Sequence, residues 1–182
     1  MKDIPSGKNT HESQADGAPA VTPVPAAAAG EMPQFSVSIE WVGDGSGCGT
    51  ARVAAETFAI PIGGAKELDG CGKGANPEEL LLSAIGSCFV GTWGIFLKKL
   101  GLIYPDPTVR LTGALGKDPA GGFKMTRVSI FARVPAALLA SNRPAVEKTL
   151  ALAEKYCIIS KVAKAAMPVD VVLEEATADS SV

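Results

Sequence analysis

The chain has 182 residues, of which 47% are hydrophobic, with a formal net charge of −2, four cysteines and one histidine. This length and apolar content suffice for one domain with a buried core. The weak negative charge and the lack of a basic cluster argue against a nucleic-acid partner. His11 lies in a polar N-terminal stretch, so the sequence also argues against Ser-His or Cys-His nucleophile pairs and histidine-rich zinc sites.

Composition divides the chain into three segments. Residues 1–33 include a Pro/Ala-rich run without apolar periodicity and are predicted to form a flexible extension. Residues 34–176 carry the periodic patterns of a folded domain, and residues 177–182 form a polar tail. No apolar segment typical of a secretory signal follows Met1 and Lys2. We therefore expect a cytoplasmic protein whose thiols are reduced at rest.

The domain begins with predicted strands and two glycine-rich segments. Alternating apolar residues from Phe35 to Trp41 predict a strand with one buried face, and 51–53 and 57–62 predict two short strands. Cys48 is predicted to lie in a glycine-rich turn and Cys71 in a glycine-rich loop. Neither segment has the glycine spacing of a nucleotide-binding loop, so no cofactor is expected there.

A long helix is predicted next. Asn76 is a suitable N-cap, Pro77 suits the first helical position, and Gly101 follows the predicted last residue, Leu100. Residues 80–97 are eighteen uncharged residues in succession, which is long enough to raise the alternative of a membrane span.

Small residues in this helix favour a core helix over a membrane span. Ser83, Ser87 and Gly91 recur at every fourth position, which forms a stripe that another helix can approach closely. Ser and Gly also dilute the hydrophobicity, and half-exposed strands flank the segment. We therefore predict a long buried helix and no membrane partner.

The remaining elements complete an α+β order. Alternating residues predict strands at 109–115 and 128–134, joined as a hairpin, and a last strand at 169–173 after Pro168. Between them a helix is predicted with Ser141 or Asn142 as its cap. Its apolar stripe is formed by four residues: Val146, Leu150, Ala153 and Cys157.

Two predicted helices each direct a cysteine inward. If they pack together, Cys88 and Cys157 can form a disulfide, so that one thiol attacks a peroxide and the other resolves the sulfenic acid. Cys88 lies in mid-helix in apolar surroundings, which raise a thiol pKa, so this scheme requires a cation beside it. The alternative is that Cys88 is simply a small buried apolar residue. The cysteine spacings contain no CxxC pair that would favour a zinc site.

Glu78 precedes Cys88 by ten residues, which places it about 15 Å away along a straight helix. If Glu78 belongs to the active site, the helix must bend or pair with its copy in a second subunit. Alternatively, Glu78 and Glu79 only favour the helix N-terminus electrostatically.

The segment GKGANPEELLLSAIGSCF resembles the signature of the osmotically inducible protein C and organic hydroperoxide resistance family. In that family the glutamate of an NPE motif precedes the peroxidatic cysteine by ten residues, a spacing that Glu78 and Cys88 keep. KYCIISKVAKAAMPVDVVLEE resembles the region of the second cysteine, matched by Cys157 and Ser160. The resemblance covers 35–175.

This resemblance implies an α+β fold in which antiparallel sheets surround a long central helix, within an intertwined homodimer. It also implies two active sites at the subunit interface and reduction of organic hydroperoxides by thiols, often dihydrolipoyl groups. Cys88 would be the peroxidatic cysteine and Cys157 the resolving cysteine. Glu78 would orient the cation that stabilises the Cys88 thiolate.

The sequence departs from the family pattern at two places. Ile158 stands where the family commonly has proline, and the activating arginine has no clear match. Arg52 and Lys66 are the candidate cations, although lysine lacks the planar fork of arginine. Cys48 and Cys71 have no family counterpart and are interpreted as incidental loop thiols, with a second redox pair as the alternative.

The sequence therefore predicts a cysteine-based peroxidase that acts on organic, lipid-like hydroperoxides and uses a dithiol reductant. The first alternative is a dimer without catalytic activity that binds an apolar ligand, with structural cysteines or a redox switch. The second is an exported domain with two structural disulfides.

Overall fold

The computed structural model of the protein describes residues 32–54, 56–104 and 106–176. The predicted N-terminal extension lies outside the described residues except for positions 32 and 33, and the predicted tail at 177–182 lies entirely outside them.

The first sheet has three antiparallel strands in the order β1-β2-β3. Its strands are β1 (Ser38–Val42), β2 (Cys48–Val53) and β3 (Phe58–Gly63). Two details of the prediction were wrong. The paired strand begins at Ser38 and not at Phe35, and Cys48 is the first residue of β2, opposite Val42, and not part of the turn. The cause is cross-strand hydrogen bonding, which local composition does not reveal.

A single 3-10 turn (Lys66–Leu68) and a loop lead from β3 to α1 (Pro77–Lys99). The Asn76 side chain accepts a hydrogen bond from the Glu79 N–H at 2.7 Å, and the Glu79 carboxylate accepts one from the Asn76 N–H at 3.0 Å. This reciprocal capping box fixes the start of the helix. The predicted helix is therefore confirmed, and it ends one residue before the predicted Leu100, which is its C-cap.

The second sheet has the order β4-β5-β6. Its strands are β4 (Thr108–Lys117), β5 (Phe123–Pro135) and β6 (Val169–Ala176). The predicted hairpin is confirmed by the antiparallel pairing of β4 with β5. The last strand is longer than predicted and pairs with β5 in parallel, because two helices carry the chain back across the sheet.

These two helices are α2 (Ala136–Tyr156) and α3 (Ile158–Lys164). The predicted start of α2 was too late, because the helix begins before Ser141. However, Asn142 interrupts it with φ −140° and ψ 19°, two residues before Pro144. The predicted cap therefore coincides with a kink, since the proline ring disfavours a continuous helix at this point.

The core lies between α1, α2 and the second sheet. One face of α1 is buried through Ile85, Phe89, Trp93 and Leu97. The Trp93 indole N–H donates to the Thr149 hydroxyl oxygen at 2.9 Å, which links α1 to α2. This α+β arrangement confirms the predicted fold class. Although α1 is long and apolar enough to cross a membrane, its packing is that of the core helix of a soluble fold.

The opposite face of α1 is exposed in the single chain, so the helix that was predicted to be buried is buried on one face only. Ser83, Ser87, Gly91 and Ile95 lie on this face, so the small-residue stripe points away from the core. A groove between the stripe and β4 is lined by Leu82, Ser83, Ser87 and residues of β4.

Candidate active site

Cys88 lies on α1 beside the buried residue Phe89 and is half-buried. The Thr92 hydroxyl donates to the Cys88 carbonyl oxygen at 2.8 Å, one turn along the helix. The cysteine is therefore held on a regular helix, on the flank of the face that packs against α2 and α3. A rigid helical position of this kind fixes the direction of the thiol.

Cys157 occupies the junction between α2 and α3 and is fully buried. Its backbone is extended (φ −60°, ψ 118°), and its N–H still donates to the Ala153 carbonyl at 2.8 Å. Its sulfur accepts a hydrogen bond from the Ser160 N–H at 3.3 Å and so caps α3. The prediction that Cys157 continues the stripe of α2 is thus corrected, although its inward direction agrees with the prediction.

The two predicted cysteines are brought together. Both are free thiols, and each lies close enough to shift the pKa of the other. Cys88 comes from α1 and Cys157 from a junction sixty-nine positions later in the chain. The contact depends on the packing of α3 against α1.

The environment lowers the pKa of the Cys88 thiol. Partial burial raises this pKa, but hydrogen bonds to the sulfur outweigh it. The donors are the Ile159 N–H, the Cys157 thiol, the Ile158 N–H and the Thr92 hydroxyl. The Thr92 hydroxyl also donates to the Cys88 carbonyl oxygen. Since the first N–H groups of a helix have no partner within it, those of α3 are free to bind the thiolate.

The pKa of Cys157 shifts in the opposite direction. Burial raises it, the Ser160 side chain lowers it, and the hydrogen bond and charge of Cys88 raise it again. When one proton is shared between the two thiols, it therefore resides on Cys157 and the negative charge on Cys88. This is the charge distribution that a nucleophilic Cys88 and a resolving Cys157 require.

Neither candidate cation reaches Cys88 within the single chain. Arg52 pairs with Glu40 at 3.5 Å across β1 and β2, and the Lys66 side chain lies against the loop at Gly72. Among the described residues, the groups that shift the Cys88 pKa include no lysine or arginine. In the same part of the chain, no cluster of three or more His, Cys, Asp or Glu side chains could hold a metal.

Glu78 does not meet Cys88 of its own chain. The helix between them is continuous, so they remain about 15 Å apart. Glu79 forms the capping box, whereas the half-buried Glu78 faces a cavity of about 230 Å³. The cavity is bounded by nine residues: Ala65, Glu67, Leu68, Asn76, Glu78, Leu82, Gly113, Leu115 and Met125.

Cys48 and Cys71 form a disulfide with their Cα atoms 6.0 Å apart. The interpretation as incidental loop thiols that are reduced at rest was therefore wrong. The pairing brings β2 to the loop before α1, across 23 positions of sequence. Gly63 makes room for it, since a Cβ at this position would collide with the Cys71 sulfur.

Sequence reasoning missed the backbone donors at Ile158 and Ile159. A signal was present, because Ile158 replaces a proline that would have no N–H to offer. Ser160 was matched, but its environment could not be foreseen. The Ser160 hydroxyl is buried, and among the described residues it alone is a buried side-chain group without a hydrogen bond of good geometry. It nevertheless lies near enough to Cys157 to lower the pKa of that thiol.

Fold and site together define an α+β thiol protein whose central helix presents one cysteine to a second cysteine at a helix junction. A sequence model described as "OsmC-like protein" matches residues 70–172, more than half of the chain. The chain belongs to the OsmC-like protein family. Membership of this family and the pairing of its cysteines support a cysteine-based redox role.

Individual relatives agree with this assignment. The chain is 35% identical over 98 residues to "Organic hydroperoxide resistance protein-like 1" of Staphylococcus saprophyticus, covering 54% of this chain and 67% of the relative. It superimposes on an OsmC-like protein of Mycoplasma pneumoniae with a TM-score of 0.65 at 14% identity, covering 80% and 99% of the two chains. An organic hydroperoxide resistance protein OsmC of Legionella pneumophila gives a TM-score of 0.64 at 19% identity, covering 79% and 99%. These two structures support the fold.

Proposed function

We propose that the protein is a thiol-dependent peroxidase that reduces organic hydroperoxides, with Cys88 as the nucleophile and Cys157 as the resolving cysteine. The main support is the packing of α1 against α3, which brings together two free thiols whose pKa values are shifted in opposite directions. The family supports the same chemistry, since the Staphylococcus saprophyticus relative is named as resembling an organic hydroperoxide resistance protein.

In the first step the Cys88 thiolate attacks the outer oxygen of the hydroperoxide. The O–O bond breaks, Cys88 becomes a sulfenic acid, and the alkoxide takes a proton and leaves as an alcohol. The Ile158 and Ile159 N–H groups stabilise the thiolate before the attack.

In the second step the Cys157 sulfur attacks the oxidised sulfur of Cys88. The Cys157 proton and the sulfenic hydroxyl leave as water, and a Cys88–Cys157 disulfide forms. A dithiol, which we expect to be of the dihydrolipoyl type, then transfers two electrons and two protons and restores both thiols. No further cofactor is needed for this cycle.

Apolar surroundings favour an organic substrate over hydrogen peroxide. Phe89 lies beside Cys88 in the buried core, and four of the nine residues that line the cavity next to Glu78 are leucine or methionine. Burial of an alkyl or aryl group in such surroundings contributes about 25 cal/mol per Å², a gain that hydrogen peroxide cannot make.

We also propose that the working unit is an intertwined homodimer. Glu78 and Cys88 of one chain lie too far apart to act together, and the small-residue stripe of α1 is exposed, which suits close pairing with a second α1. In a dimer, Glu78 of one subunit would approach Cys88 of the other and orient a cation, for which Arg52 and Lys66 remain the candidates. The catalytic role of Glu78 rests on this pairing.

Consumption of cumene hydroperoxide and of hydrogen peroxide, with dihydrolipoate as reductant, tests the proposal. We expect the wild type to consume cumene hydroperoxide faster and Cys88→Ser to be inert. Cys157→Ser should accumulate sulfenic or over-oxidised Cys88, detectable by mass spectrometry. If the wild type and Cys88→Ser are equally inert, the peroxidase proposal is wrong.

The second candidate function is binding of an apolar ligand without catalysis, favoured by the cavity, whose lining contains no thiol. An inert wild type that binds a fatty-acid probe would select it. The cytoplasmic location stays a prediction. Intact mass tests it, by comparing the disulfide content of protein prepared from the cytosol with that of protein prepared by export.

A further inference from the structure

The Cys48–Cys71 disulfide lies in a different environment from the Cys88 pair. Both of its cysteines are partly exposed, and no peroxidase step described above involves them. Cys48 is anchored in β2, while Cys71 belongs to a loop in which Gly72 and Gly74 have positive φ values of 60° and 90°. A disulfide that joins a hydrogen-bonded strand to a glycine-rich loop can be reduced without disturbing the sheet, because glycine lets the loop change its backbone conformation.

Hydrogen bonds close the base of this loop without the disulfide. The Gly72 N–H donates to the Gly64 carbonyl at 3.0 Å, and the Gly63 N–H donates to the Ala75 carbonyl at 3.1 Å. The strand is secured as well, because β2 pairs with β1 on one edge and β3 on the other. The sheet and the base of the loop are therefore held by backbone hydrogen bonds as well as by the disulfide.

The two sulfurs differ in their suitability as leaving groups. The Lys73 N–H donates to the Cys71 sulfur at 3.4 Å. This donor stabilises a thiolate at Cys71 when the S–S bond breaks, so an incoming thiolate gains most by attacking Cys48.

The loop that the disulfide holds also forms part of the cavity beside Glu78. Ala65, Glu67 and Leu68 contribute one wall, and the start of α1 and the second sheet contribute the others. The position of this wall determines the width of the cavity. A movement of this loop would therefore change the shape of the space next to Glu78.

We propose that Cys48–Cys71 is a second, reversible redox couple that takes a small dithiol and controls the loop over the Glu78 cavity. One thiolate of the dithiol attacks Cys48, the S–S bond breaks, and Cys71 leaves as a thiolate and takes a proton. The second thiol of the dithiol then displaces Cys48 from the mixed disulfide, which leaves two protein thiols and an oxidised, cyclic reductant. The oxidised dithiol reverses the reaction. Only the consequence for catalysis, through Glu78, rests on the proposed function.

The test uses the full chain with Cys88→Ser and Cys157→Ser, so that only this couple can titrate. The variant is equilibrated with mixtures of dihydrolipoate and lipoate, and its thiols are counted by alkylation and mass spectrometry. We expect two thiols to appear together while the far-UV circular dichroism spectrum stays that of the native protein. The rate of hydrogen exchange in residues 64–75 should rise about tenfold, and the rate in β5 should not change. A chain that also carries Cys48→Ser and Cys71→Ser should show the fast loop exchange without reductant.

A disulfide that stays oxidised until the protein unfolds would overturn the proposal and identify it as a permanent cross-link. Reduction without a change in loop exchange would overturn it too, because the loop would not depend on the couple. Since the tested variant lacks both proposed peroxidase cysteines, its behaviour does not depend on whether the protein reduces hydroperoxides.

Discussion

Two regions of this chain differ in how far their apolar side chains are buried. The body consists of α1, α2, α3 and the second sheet, and its core side chains Phe89, Trp93 and Ile130 are fully buried. The arm is the first sheet, β1 to β3, whose strands make their main contacts with one another. Several of its apolar side chains stay exposed, with Val42 at 79%, Ile39 at 64% and Phe58 at 63%, although Ala51 and Ile62 are buried.

The body buries an apolar core of its own, whereas the exposed apolar side chains of the arm need another surface to cover them. A three-stranded sheet whose apolar residues face water gains little from burial, and a contiguous apolar surface marks an interaction site. The cysteine pairs follow the same division. The body holds two free thiols, the half-buried Cys88 and the buried Cys157, and the arm is joined to the following loop by a disulfide.

The largest expected difference concerns the two tryptophans. Trp93→Ala should lower the free energy of unfolding by about 3–5 kcal/mol, because it empties a fully buried site. Trp41→Ala should lower it by much less, since Trp41 is 42% exposed. Urea denaturation followed by circular dichroism measures both. Trp93→Phe is the control that keeps most of the bulk but loses the donor to Thr149.

Equal losses at Trp41 and Trp93 would contradict the division into arm and body.

The second prediction concerns association. Ile39→Asp places a charge on the exposed apolar face of the arm and should weaken the proposed dimer at least about tenfold, because a charge is costly to bury in an interface. Ser36→Asp is the matched control, since it adds the same charge at an exposed polar position just before β1. Sedimentation velocity over a concentration series reports the monomer fraction.

If both variants associate like the wild type, the arm does not form the subunit interface.

The third prediction concerns the pKa of the Cys88 thiol in the body. Ile158→Pro removes one N–H donor to Cys88 at the first position of α3, where proline fits a helix well. The Cys88 pKa should then rise towards its ordinary value. Because only the thiolate reacts, alkylation by iodoacetamide at pH 7 should slow by a few-fold to about tenfold.

The pH profile of alkylation locates this change. In the wild type the rate should rise with pH through a midpoint below the ordinary cysteine value, and in Ile158→Pro the midpoint should move up. Ile158→Val keeps the N–H and should behave like the wild type. A proline variant with an unchanged profile would show that the Ile158 N–H does not act on Cys88.

The smallest expected effect compares two buried hydroxyls of the body. Ser160→Ala should change the free energy of unfolding by less than about 1 kcal/mol, because the Ser160 hydroxyl has no good hydrogen bond to lose. Thr149→Val should cost about 1–3 kcal/mol, since Thr149 accepts from Trp93 and donates to the Val146 carbonyl. Thermal unfolding of both variants gives the comparison, and a larger loss at Ser160 would reveal a partner for its hydroxyl.

Local patterns account for the elements that the sequence predicted well. The start of α1 was predictable because Asn76, Pro77 and Glu79 act within one turn. The hairpin of β4 and β5 followed from alternation on both sides of a turn. The helical residues before Asn142 were missed because a helix can continue past a cap-like residue when packing favours it.

The candidate site was predictable only in part. Cys88 and Cys157 were identified by inward-facing patterns and by the family motif, but their hydrogen bond depends on how α3 packs on α1. The Cys48–Cys71 pairing was missed because residue spacing does not fix which cysteines meet in space.

The sequence by itself determined the α+β order, the capped central helix, the family and the choice of Cys88, since each is encoded in contiguous residues. The tertiary structure decided which thiol carries the charge, which cysteines are joined and which side of α1 stays exposed. These features depend on contacts between residues far apart in the chain. Such contacts form only when whole elements pack together, and their energies leave no periodic signal in the sequence.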